Sequence, residues 1–204
     1  MPSSLLKFEV QQLVKIGGRR YPYVKIGNQL WISENLDYKW NGLDIGTSSS
    51  SSIRAYYINN DESTYGIEGT YKCGIMYTWY AVNYLNTNRA TLLPEGWHVP
   101  SQSEWDALIS TVGSNPGTKL KALDNSVTSN WPSRWNGTDD YGFNALPGGA
   151  TGGVDFGSKA NFQCSDQFAV STSPVYVLDT GSSFTRFSNS KSNAQYVRLV
   201  KTIA

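Results

Sequence analysis

Residues 93–109 read LPEGWHVPSQSEWDALI, and they contain His98, the only histidine of the chain. Two tryptophans and two glutamates lie within seven residues of it. The second half of the stretch is the clearest element signal in the sequence. Ser101 stands three residues ahead of Glu104, the spacing at which a serine caps a helix and a glutamate reaches back to the cap. Trp105, Leu108, Ile109 and Val112 then recur at helical spacing, and Gly113 stops the run. Pro94 and Pro100 fix the backbone around EGWHV, where Trp97 and Val99 alternate with His98 and turn it away from their side. A catalytic histidine needs a nucleophile and an orienting carboxylate, or further metal ligands at suitable spacing. No GxSxG, HExxH or paired-cysteine motif occurs. The stretch therefore reads as a structural corner, with His98 hydrogen-bonded to a turn or a buried polar group.

Composition fits a folded, loop-rich chain of 204 residues, one domain or one domain with an arm. Apolar residues make up 39% and charged ones 16%, with seven tryptophans and thirteen tyrosines. So many aromatics either brace a core or line a surface that grips a ligand, sugar rings included. A net charge of +1 argues against a nucleic-acid partner. The local excess of Lys7, Lys15, Arg19, Arg20 and Lys25 over Glu9 reads as a solvated face. Cys73 and Cys164 are too few for a disulfide scaffold; they either pair across the fold or stand as two thiols, and the second reading suits a chain without an export signal better. The N-terminus lacks the long apolar stretch of an export signal, and GIMYTWYAVNYL is too short and polar to cross a bilayer. The expectation is a chain made in the cytoplasm, with no membrane partner.

Two similar phrases, VKIGG (residues 14–18) and VKIGN (residues 24–28), each read as a strand ending in a turn. The second continues through QLWI, which predicts a hairpin over Tyr23–Ile32 with Gly27-Asn28 at its turn. The run Ser48–Ser52 reads as an exposed loop. In MYTWYAVNYL, Tyr77, Tyr80, Ala81 and Tyr84 form a helical stripe. Asp124 to Asp166 reads as a long region of turns, after which QFAVST, VYVLD, FTRFS and AQYVRLVKTI read as strands. Two early helices among strands predict an α+β domain.

Six phrases in order resemble the Fibrobacter succinogenes major paralogous domain family: YVKIGNQLWISENLDY, YGIEGTYKCGIMYTWYAV, PEGWHVPSQSEWDAL, GTKLKA, GFNALPGG and YVRLVK. They span roughly residues 20–201. The resemblance implies a C-type-lectin-like fold, with two helices packed on small antiparallel sheets and a long loop region. It divides the chain into an arm, residues 1–18, and a domain, residues 19–204. The arm either adds a strand to the domain or reaches a neighbouring subunit. Family members usually carry cysteines just before the PxGWH phrase and in the last strand, and the resemblance implies that these pair. Leu93 and Leu199 stand there in this chain. Their loss suits folding in a reducing compartment, and with the missing export signal it points to a virion component assembled in the cytoplasm.

In such folds the ligand surface lies in the long loop region. There Trp131, Trp135 and Tyr141 offer flat apolar faces, and Asn130, Asn136, Asp139 and Asp140 offer hydrogen bonds, a combination suited to sugars. The bland alternative is that both tryptophans pin the loop to the core. Calcium is not expected: Asn136, Asp139 and Asp140 supply oxygens, but EPN, QPD, WND and EF-hand patterns are absent. No metal or other cofactor is expected. The reading is a non-catalytic recognition or structural module. It fits a bacteriophage fibre, tail or capsid-decoration protein that meets a host surface glycan or protein. Other virion proteins are met through the arm, and a homo-oligomer is consistent with this. A bacterial cell-surface adhesin or envelope module is the alternative. An enzyme, such as an oxidase of the formylglycine-generating type, ranks last because it needs a cysteine pair.

Overall fold

The computed structural model describes residues 12–45, 55–57, 73–123, 135–151 and 154–203. The echoed phrases open the fold. β1 (Leu13–Ile16) runs antiparallel to β2 (Arg19–Ile26), and β2 to β3 (Gln29–Ile32). Gly17, Gly18 and Gly27 hold positive φ in the two turns, which is why a glycine follows the strand in each phrase. The Tyr23–Ile32 hairpin is thus present, with Ile26 facing Gln29 across its turn. Residues 13–16 of the arm belong to this sheet; the serine run lies outside the described residues.

The chain continues through short strands β4 (Asp44–Ile45), β5 (Ala55–Tyr57) and β6 (Met76–Tyr77). Helices α1 (Trp79–Thr87), α2 (Arg89–Leu92), α3 (Gln102–Val112) and α4 (Pro116–Leu120) follow. β7 (Ala160–Gln163), β8 (Thr172–Leu178), β9 (Phe184–Ser190), β10 (Gln195–Tyr196) and β11 (Val200–Thr202) complete it. One sheet has the order β1-β2-β3-β11, the other β4-β5-β6-β10-β7-β8-β9. This is a mixed α+β fold of two sheets and a few short helices.

α3 matches its sequence signal: Ser101 and Glu104 form the capping box, and Gly113 ends the helix at positive φ. Its buried face, Trp105, Leu108 and Val112, packs into one cluster with Trp31, Phe162 and Tyr176. The Trp105 ring lies 4.6 Å from Trp31 and 5.3 Å from Tyr176. α1 supplies Ala81, Val82 and Leu85 to a second cluster with Ile32, Tyr77, Trp97 and Leu199.

Three expectations need correction. The α1 stripe does not include Tyr77, because Thr78 caps the helix and leaves Tyr77 in β6; Trp79, Ala81, Val82 and Leu85 are the buried face. QFAV is not strand, since β8 begins only at Thr172. The region 124–166 is not all turns. β7 lies within it, buried on both faces and so without alternation to reveal it.

Arg198 ties the segments together. The fully buried guanidinium donates to Asn35 Oδ1 (2.7 Å) and to the carbonyls of Ile32 (3.0 Å), Phe143 (2.6 Å) and Asn144 (2.9 Å). Burial pushes its pKa down to about 9. Cys73 and Cys164 are buried thiols in the first cluster, and Leu93 and Leu199 are buried in the second.

Candidate functional site

The corner around His98 is fully engaged within the fold. His98 Nε2 lies 2.6 Å from Glu104 Oε1, and Nδ1 lies 3.0 Å from the Gly96 carbonyl. Both ring nitrogens face acceptors, so the imidazolium satisfies the corner better than either neutral tautomer. Accordingly the Glu104 hydrogen bond raises the His98 pKa, against the opposing effect of burial. Burial alone would raise Glu104, but hydrogen bonds from His98 and Ser101 outweigh it and hold the carboxyl at about 2. Thr202 Oγ1 donates to the same carboxylate (3.1 Å), and Gln29 Nε2 to the Glu104 carbonyl (3.0 Å). The corner joins α3 to β3 and β11.

A cleft of about 970 Å³ opens elsewhere, between Pro22–Lys25 of β2 and the loop carrying Asp139, Tyr141 and Asn144. That volume is in the range of small-molecule sites. Tyr141 is partly buried against the first cluster, and the Tyr23 ring stands edge-on to Trp97 at 5.5 Å. Both aromatics are thereby held by packing. Asp139 and Asn144 adopt φ of 48° and 54°, a region that Asp and Asn tolerate better than most residues. The Asn144 N–H donates to Asp139 Oδ1 (2.7 Å) and fixes the carboxylate at the cleft wall. Burial raises the Asp139 pKa, opposed by that hydrogen bond and by the Arg198 charge. Ser33 and Lys25 add further polar groups. The lining therefore combines two tyrosines with hydrogen-bonding groups.

Of the residues singled out in the sequence, Asp139 and Tyr141 come together in this cleft. Asp140 is exposed beside them and does not line it. Asn136 is exposed, and its Oδ1 accepts from Lys121 Nζ at 2.5 Å, which holds a buried lysine in place. Trp135 is a correction: it is fully buried in the first cluster, under Lys121 Nζ at 5.0 Å, and offers no face to a ligand. Asn130 and Trp131 lie outside the described residues.

Residues 24–201 match the model of the Fibrobacter succinogenes major domain. The chain belongs to that family. No curated protein matches, and no solved structure does. In this Fibrobacter succinogenes major domain the phrases noted above fall largely on structural joints. SENL, GFNA and YVRL meet at Arg198, and EGWHVPSQSEW is the His98 corner. In GTKLKA, Lys121 Nζ donates to the carbonyls of Asp179 (2.9 Å) and Gly181 (2.8 Å).

Sequence reasoning missed Tyr23, Lys25 and Asn144 as cleft residues. The hairpin reads as sheet and nothing else. Only the neighbouring exposed Lys25 and partly exposed Tyr23 on β2 carry a signal. Among the described residues no group of three or more His, Cys, Asp or Glu side chains is placed to hold a metal ion.

Proposed function

We propose that the chain is a non-catalytic recognition module of C-type-lectin-like architecture, carried on a bacteriophage particle and binding host-surface glycan through the Asp139–Tyr141 cleft. The observation that carries the reading is the cleft lining, where Tyr23 and Tyr141 come together with Asp139 and Asn144. Sugars present apolar ring faces and a rim of hydroxyls, and this lining is complementary to both. Two sheets flanked by α1 and α3, with a long loop segment feeding the cleft, fit the lectin-like architecture. Two buried thiols, and leucines at positions 93 and 199, fit folding in a reducing compartment, as a virion protein would.

Glycan-array screening of the full chain against bacterial surface polysaccharides tests the proposal. The expected result is a restricted set of bound glycans, with affinity reduced about tenfold or more in Tyr141→Ala. Binding that is equal in the variant, or no glycan bound at all, would remove the cleft from consideration.

A further inference from the structure

The second sheet has a face that the cleft does not use. By register, Ser173 opposes Asn189, Val175 opposes Phe187 and Gln163, and Val177 opposes Asn161, so these side chains share one side of β7, β8 and β9. The alternate residues Phe162, Tyr176 and Phe184 face Trp105 in the core. Tyr196 of β10 pairs with Phe162, which puts Gln195 on the outer side with the first set. An open cavity of about 430 Å³ lies there, lined among others by Asn161, Val175, Val177, Phe187 and Gln195.

This face carries an unusual set of atoms. Among the described residues five buried side-chain polar atoms have no hydrogen-bond partner, and three of them are here: Gln163 Oε1, Ser173 Oγ and Gln195 Oε1. Clustering on one face argues against scattered packing faults. The orientation of Gln163 is fixed, because its Nε2 donates to the carbonyls of Tyr77 and Asn193 (3.4 Å each) and the reverse placement would set oxygen against oxygen. Two of the three atoms are amide oxygens, which only accept, so their complement is a donor. Three charged residues also line the cavity: Lys159 is paired with Asp155 at 2.9 Å, and Asp179 Oδ1 accepts from Gly181 N–H at 2.7 Å. Phe187 is an aromatic ring 57% exposed on a strand. Of the three residues with unpartnered atoms only Gln195 lines the cavity, and Phe187 lines it too; water can serve a lone buried oxygen, but it gains nothing from an apolar ring in the same cavity.

We infer that the outer face of β7–β9 and β10 is a second saccharide subsite, in which Gln195 accepts from the hydroxyls of a neutral pyranose and Phe187 stacks on its apolar face. The subsite is independent of the Asp139–Tyr141 cleft and shares no lining residue with it.

Amide-resolved NMR titration of the full chain tests it, with methyl α-mannoside, methyl β-galactoside and methyl β-glucoside as free probes and a neutral trisaccharide of each sugar as the chain-end probe. The expected result is shifts at β8, β9 and the Asn161 and Gln195 side-chain amides for at least one sugar, with the cleft loop unmoved. Larger shifts with the trisaccharide identify a polymer segment as the occupant; equal shifts identify a single residue. Phe187→Ala, at an exposed position, should weaken binding about tenfold. Gln195→Leu should abolish binding while leaving the melting temperature equal or higher, because an unpartnered buried oxygen is removed. Tyr141→Ala should leave these shifts unchanged, which separates this subsite from the cleft. No shift on this face with any of the sugars overturns the inference. So does a Gln195→Leu variant that melts lower and still binds, because the oxygen is then structural.

Discussion

His98 shows how a single histidine can be occupied by architecture. Its two nitrogens face the Gly96 carbonyl and the Glu104 carboxylate, and the pair closes the capping box of α3 onto β11. The consequence is a defined pH dependence. The folded His98 pKa lies above its ordinary 6.5, so its contribution is complete below 6.5 and is lost as pH rises through the folded value. The folded Glu104 value is about 2 against an ordinary 4.5, so its contribution is complete above 4.5 and is lost as pH falls toward 2. The pair therefore stabilises most between pH 4.5 and 6.5. Melting temperatures measured across pH should decline on the alkaline side of that window in the wild type. His98→Gln should lack the decline. Glu104→Gln should lack it too while keeping the helix, because glutamine serves at the same position of a capping box. A His98→Gln curve that parallels the wild type would exclude the charged corner.

At the scale of elements, fit outweighs propensity at α4. Alanine is ordinarily about 1 kcal/mol better than glycine inside a helix. At Gly117, however, a Cβ would overlap the Ser183 carbonyl and the Ser182 backbone, where the β8–β9 turn crosses the helix and Gly117 N–H donates to the Ser182 carbonyl at 2.8 Å. Neither partner is a flexible side-chain end, so the clash should win. Gly117→Ala is expected to lower unfolding free energy by about 1–3 kcal/mol in urea denaturation; a gain in stability would show that the turn yields. The same contrast between local and distant causes sets what the sequence reveals. α3 is legible because its cap, its period and its stop are all local. The β2–β3 hairpin is legible because a Gly-Asn turn punctuates an alternating pattern. β7 is not, since both its faces are buried, and the start of α1 is blurred because Tyr77 in β6 continues the aromatic period past the Thr78 cap. Asp139 and Tyr141 could be picked from loop chemistry, but Tyr23 and Lys25 reach the same cleft only through the fold. The outer-face oxygens come from three separate strands, and no window of sequence holds them together.

For the whole molecule, the arm poses the remaining question, and the sheet decides where to cut it. Residues 13–16 are β1, the edge strand of the first sheet, and Ile16 is buried in the second cluster. Gln12 already contributes a carbonyl to Tyr23 N–H at 3.0 Å. A chain beginning at Gly18 therefore loses core contacts and bares the edge of β2, whose unpaired backbone groups invite association of its own. Any oligomer it forms would report the damage. A chain beginning at Gln12 keeps β1 and removes only residues 1–11, so it isolates their contribution. Light scattering coupled to size exclusion should then find the full chain as a defined oligomer and the 12–204 chain as a monomer with the same melting temperature, if particle assembly runs through the arm. The 18–204 chain should melt lower than both and tend to self-associate. Equal masses for the full and 12–204 chains would remove residues 1–11 from assembly, and any oligomer contact would then have to lie on the folded domain.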